Sequence, residues 1–95
     1  MQKEMTVSEV QIKIIKPSDG LIGFASLVVN EQLYVSSIGI YTLLDGSGYR
    51  LTYPTKKVGD VDLHIFHPIT RQLSDLIEGA ILEKLSLLFG DSYVA

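Results

Sequence analysis

The hydrophobic period of this chain changes once, near Thr70, and that change limits the order in which its parts can pack. Before it, the apolar pattern is that of strands. Val10, Ile12 and Ile14 alternate with Glu9, Gln11 and Lys13, the pattern of a half-buried strand. Pro17-Ser18-Asp19-Gly20 ends that strand with turn residues. Leu21 to Val29 is apolar on both faces and rich in β-formers, as for an interior strand. Asn30-Glu31-Gln32 is short enough for a hairpin loop. After Thr70, Leu73, Leu76, Ile77, Ala80, Ile81, Leu85 and Leu88 fall on one helical stripe, and Asp75, Glu78, Glu83 and Ser86 face away. Thr70 or Ser74 supplies an N-cap oxygen, and Gly90 a C-terminal stop.

Between these segments the period of two slips. Leu33 and Val35 share one parity, Ile38 and Ile40 the other, so one extra residue at Ser36-Ser37 predicts a β-bulge within a third strand over 33–44. Asp45-Gly46-Ser47-Gly48 is a turn, and Tyr49, Leu51 and Tyr53 alternate with Arg50 and Thr52 in a fourth strand that Pro54 stops. Thr55 to Asp60 reads as a loop and Val61 to Phe66 as a short edge strand. Strands first and one long helix last predict an α+β fold: an antiparallel sheet of four to five strands packed by a long C-terminal helix. A single domain spans 1–95, with residues 1–5 and 91–95 as flexible ends. Tyr34, Tyr41 and the bent third strand predict an edge open to a second subunit.

Composition excludes several classes. With no cysteine, disulfides and thiolate metal sites are ruled out. The polar start Met1-Gln2-Lys3-Glu4-Met5 is not a secretory signal, and no apolar run approaches the roughly 20 residues of a membrane span. The expectation is a cytoplasmic protein without membrane attachment. The net charge of −3 argues against strong phosphate binding, but it is unevenly spread. Only residues 46–74 are net positive, with Arg50, Lys56, Lys57 and Arg71 against Asp60 and Asp62.

Catalytic signatures are lacking. Ser36, Ser37 and Ser47 sit in no nucleophile elbow, and Asp45-Gly46-Ser47-Gly48 lacks the glycine spacing and following helix of a phosphate loop. No enzyme activity, cofactor or metal is expected. His64 and His67 are three apart; strand parity would send them to opposite faces, and no cysteine completes a ligand set. Tyr49 and Tyr53 share parity with Leu51 and read as core residues rather than stacking platforms. Lys56-Lys57, with Arg50 a strand away and Arg71 near the helix start, can form a basic patch for phosphate oxygens. The plain alternative is a solvated loop carrying two lysines.

At these residues the chain resembles the stage V sporulation protein G (SpoVG) family of septation regulators, over roughly residues 5–90. The matching parts are Val7-Ser8-Glu9-Val10, Ala25-Ser26, Ser37-Ile38-Gly39-Ile40, Gly48, Pro54-Thr55-Lys56-Lys57, His67-Pro68-Ile69, and Ile77 to Leu85. The pairing of a Pro-Ser/Thr-Lys-Lys/Arg segment with a His-Pro-Ile turn before a helix is the specific element. The resemblance implies a small homodimeric regulator in the bacterial cytoplasm that binds DNA and RNA and acts in septation, sporulation or gene expression. Lys56 and Lys57 match the family's basic pair, and His67, Pro68 and Ile69 its turn. Where the family carries Arg and Lys at the helix start, this chain has Ser74 and Leu76 around Asp75, with Arg71 one turn earlier; His64 replaces a commonly acidic residue. The alternative is a protein-interaction module on the same fold that has lost nucleic-acid binding, which the acidic helix residues Asp75, Glu78 and Glu83 favour.

Overall fold

Tight connections decide the topology of the sheet. In a computed structural model, which describes residues 4–89, strands β1 (Val7–Ser18), β2 (Leu21–Val29), β3 (Leu33–Thr42) and β4 (Tyr49–Thr52) pair antiparallel in chain order. The β1–β2 turn places Asp19 and Gly20 at φ 52° and 91°, and the β2–β3 turn places Asn30 and Glu31 at 54° and 57°. Two successive residues with positive φ define the turn whose twist matches that of the flanking strands. Pro17 lies in β1, the sheet edge, where a missing N–H is tolerated.

The expected bulge in the third strand is present. Ala25 pairs with Ile38 and Leu27 with Val35, so β3 carries one residue more than β2 there, and Ser37 adopts φ 67°. The shift brings Val35, Ile38 and Ile40 to the same buried face. A second bulge lies in β1 at Glu9, φ 51°, between the pairs Ser8–Val28 and Gln11–Ser26. Both bulges flank Ser26 and Leu27 at the centre of β2.

Helix α1 (Arg71–Phe89) covers one face of the sheet. Thr70 caps it: its Oγ1 accepts from the Leu73 N–H at 3.2 Å, and its carbonyl accepts the first helical bond from Ser74. Leu27, Ile38, Ile40, Ile81 and Leu85 are fully enclosed, with Ile77 beside them. At the end of the helix, the stripe departs from expectation. Leu88 is 49% exposed, and Phe89 packs against the core instead. Gly90 as helix stop and the C-terminal flexible end lie outside the described residues.

Two further expectations are corrected. Thr55 to Asp60 is not a loop: β5 (Thr55–Val58) pairs with β6 (Val61–His64) around Gly59-Asp60, with Gly59 at φ 62°. The strand expected over Val61–Phe66 ends at His64 and belongs to this separate two-stranded hairpin, not to the main sheet. A glycine-aspartate pair with positive φ only at glycine closes such a hairpin readily.

Candidate nucleic-acid interface

The hairpin and the turn before the helix, read from sequence as two features, are two ends of one structure. Thr55 pairs with His64, and the Pro54 carbonyl accepts from the Ile65 N–H at 3.0 Å. Below this, Tyr53 and Phe66 meet edge to face at 6.0 Å, and both pack on the core. The hairpin is held at its base by this pair. Every residue of β5 and β6 is exposed.

Lys56 and Lys57 sit in the middle of β5, so the pleat sends them to opposite faces. Lys56 pairs with Leu63, on the face that also carries the Val58–Val61 pair. Lys57 pairs with Asp62, on the face that carries Thr55 and His64. One face is therefore apolar with a single cation, and the other is polar. Asp60 and Asp62 offset the two lysines, leaving residues 55–63 without net charge.

Arg71 is the first residue of α1 and is exposed. Its positive charge adds to the unpaired N–H groups of the helix start, and the first turn holds no acidic side chain. Arg50 lies elsewhere. It pairs with Tyr41, which pairs with Leu21 at one end of β2. Leu73, two residues after Arg71, lines a small apolar cavity with Val29 and Leu33 at the other end of β2. The nine residues of β2 separate those ends by about 26 Å at the usual rise per residue. Within one subunit, Arg50 and Arg71 do not share a patch.

Arg50 also has other company. Its guanidinium lies 4.8 Å over the Tyr41 ring, a cation–π contact. It lines a cleft of about 680 Å³ with Asp19 and Asp45. The Ser47 hydroxyl and N–H donate to the Asp45 carboxylate and lower its pKa, so Asp45 is ionised at neutral pH. Two carboxylates lining the same cleft disfavour a phosphate there. Of the two tyrosines read as core, Tyr53 is the half-buried anchor of the hairpin; burial, and then the negative charge of Glu78, raise its pKa.

The histidines also differ from expectation. Their ring centres are 4.7 Å apart, because β6 ends at His64 and strand parity no longer applies across Ile65-Phe66. Sequence reasoning missed this pair, the hairpin and the Tyr41–Arg50 stack. The Gly-Asp pair between Val58 and Val61, and the placement of Tyr41 and Arg50 on either side of the Asp45-Gly46 turn, were the available signals.

Among known proteins, the chain matches no family model and no curated sequence. No described helix is long and apolar enough to cross a membrane.

Proposed function

We propose that this chain is a SpoVG-like dimeric regulator in the cytoplasm, acting in gene expression or septation, that binds DNA or RNA mainly through phosphates. The observation that carries the reading is the exposed β5–β6 hairpin. It lifts Lys57 and Lys56 clear of the core and runs, through the His67-Pro68 turn, directly to Arg71 at the helix start. Arg50 joins this surface only if a second subunit brings its own copy near. Two features support a dimer. The hairpin exposes Val58, Val61 and Leu63 on one face. In addition, β4 pairs only with Gly39–Thr42, so among the described residues no strand takes the outer edge of β3 from Leu33 to Ile38.

Lys56, Lys57 and Arg71 provide three cations per subunit and six per dimer. If all six meet phosphates of duplex DNA, log K falls with log salt at a slope of about −5. The test is a titration against duplex DNA and single-stranded RNA at two salt concentrations, with sedimentation to establish the oligomer. The Lys56→Ala/Lys57→Ala protein should bind more weakly, with a slope near −2 on the same arithmetic. Unchanged affinity and slope in that variant would exclude the hairpin as the contact surface.

A protein-interaction module is the second reading. It is favoured by the charge-neutral hairpin and by the exposed Asp75, Glu78 and Glu83 on α1. Absence of nucleic-acid binding at low salt, with a defined protein partner forming a stoichiometric complex, would decide for it.

A further inference from the structure

The two histidines meet at the corner between the hairpin and the helix. The ring centres lie 4.7 Å apart with planes inclined by 57°, which is not a parallel stack. His64 is the last residue of β6, and His67 opens the turn toward α1. Both side chains are exposed.

Three properties suit this pair to chelation. The first is separation. A metal about 2.0–2.1 Å from one nitrogen of each ring lies about 3.2 Å from each ring centre; a right-angled bite then sets the centres about 4.5 Å apart and a tetrahedral bite about 5.2 Å. The observed 4.7 Å lies between the two. The second is tautomer. His67 Nδ1 is 3.2 Å from the Pro68 carbonyl oxygen. A carbonyl oxygen only accepts, so in the neutral ring Nδ1 carries the hydrogen and the lone pair is at Nε2. A backbone carbonyl on the far nitrogen is the usual outer contact of a metal-bound histidine. The third is a fixed backbone. His64 is held by its pairing with Thr55, Ile65 is bonded to the Pro54 carbonyl, and Phe66 is anchored on Tyr53.

We propose that His64 and His67 form a two-imidazole site for a first-row divalent cation, with Cu²⁺ bound most tightly. Imidazole suits copper, nickel and zinc, and the general order of affinities places Cu²⁺ above Ni²⁺ and Zn²⁺. Among the described residues no group of three metal-binding side chains occurs, so water or an outside ligand fills the remaining positions. Such a site is open and exchangeable. Its assignment does not rest on nucleic-acid binding.

The test is a titration of the full chain with Cu²⁺ at neutral pH, followed by electron paramagnetic resonance and competition with a chelator of known affinity. The first equivalent should show superhyperfine coupling to two imidazole nitrogens. His64→Gln and His67→Gln should each reduce this to one nitrogen and weaken binding at least tenfold. Far-ultraviolet circular dichroism should be unchanged, since both side chains are exposed. A first equivalent without paired imidazole coupling would overturn the site, as would either substitution leaving the affinity unchanged. The protein carrying both substitutions reports binding outside the pair. Binding as tight as in the parent places the metal elsewhere in the chain and also overturns the proposal.

Discussion

Gly23 leaves no room for a side chain. It lies buried in β2, paired with Ile14 of β1 and Ile40 of β3. A Cβ added there sits 2.6 Å from the Lys13 backbone oxygen and 3.4 Å from the Ile14 Cα. Carbon–oxygen contacts between strands normally begin at about 3.3 Å, so β1 would have to retreat by about 0.7 Å. The obstacle is backbone held in a ladder, which no rotamer change relieves. Overpacking of this kind costs about 1–3 kcal/mol. The stiffer unfolded chain returns about 0.4–1 kcal/mol. The net for Gly23→Ala is a loss of about 1–2 kcal/mol, which at about 4–8 °C per kcal/mol in a domain of this size lowers Tm by about 5–15 °C. Gly79→Ala is the internal control. Gly79 lies within α1 with no atom within 4 Å of an added Cβ. Relief of glycine's entropy cost should stabilise by about 0.5–1 kcal/mol. Thermal melts followed by circular dichroism, with urea midpoints as a second measure, read both. Gly23→Ala melting at or above the parent would refute the reasoning, because it would mean that β1 gives way freely opposite Gly23.

Two other perturbations test separate parts of the sheet. A Cβ at Gly39 lies 2.5 Å from Thr52 Oγ1 on the paired strand β4, so Gly39→Ala should destabilise and Thr52→Ala should rescue it, with a coupling of about 1 kcal/mol in a double-mutant cycle; purely additive effects would locate the strain elsewhere. The raised pKa of Tyr53 means that the folded protein favours the neutral phenol. Its contribution to stability is complete below the unfolded value of about 10 and is lost as pH rises through the folded value, so urea midpoints of the parent should fall faster above about pH 10 than those of Tyr53→Phe; parallel curves would exclude the effect.

Most of the sheet was legible because burial on one face writes itself as period two. The Ser36-Ser37 slip was legible for the same reason: a bulge is a change of parity, and Val35 and Ile38 record it. The β1 bulge left the same trace in Val7 against Val10 and Ile12, which all pack on the core although their parities differ. The hairpin left less. Its apolar residues are exposed, so no buried face imposes alternation, and Thr55-Lys56-Lys57 has the composition of a loop. The helix was legible from Leu73 to Leu85. Its last turn was not, because the core needs Phe89 where the stripe pointed to Leu88. The basic patch was the least legible part. Charge counted along the chain groups Arg50 with Arg71, whereas β2 holds them apart at its two ends.

The pairing of the hairpin makes its two lysines unequal. An isolated two-stranded hairpin is marginal in water. Tyr53 and Phe66 secure its base, but the Val58, Val61 and Leu63 side chains farther out remain uncovered. A second subunit that covered them would approach the face that also carries Lys56. Lys56 would then stand at the rim of the subunit contact, its stem able to lie along apolar surface with the charged end in water. Lys57 would remain on the polar face with Asp62, Thr55 and His64. Under the proposed function, dimer formation and phosphate contact would then be divided between the faces of one hairpin. On this division, Lys57 would carry more of the salt-dependent contact to nucleic acid than Lys56, and a salt slope of about −4 rather than about −5 would show it.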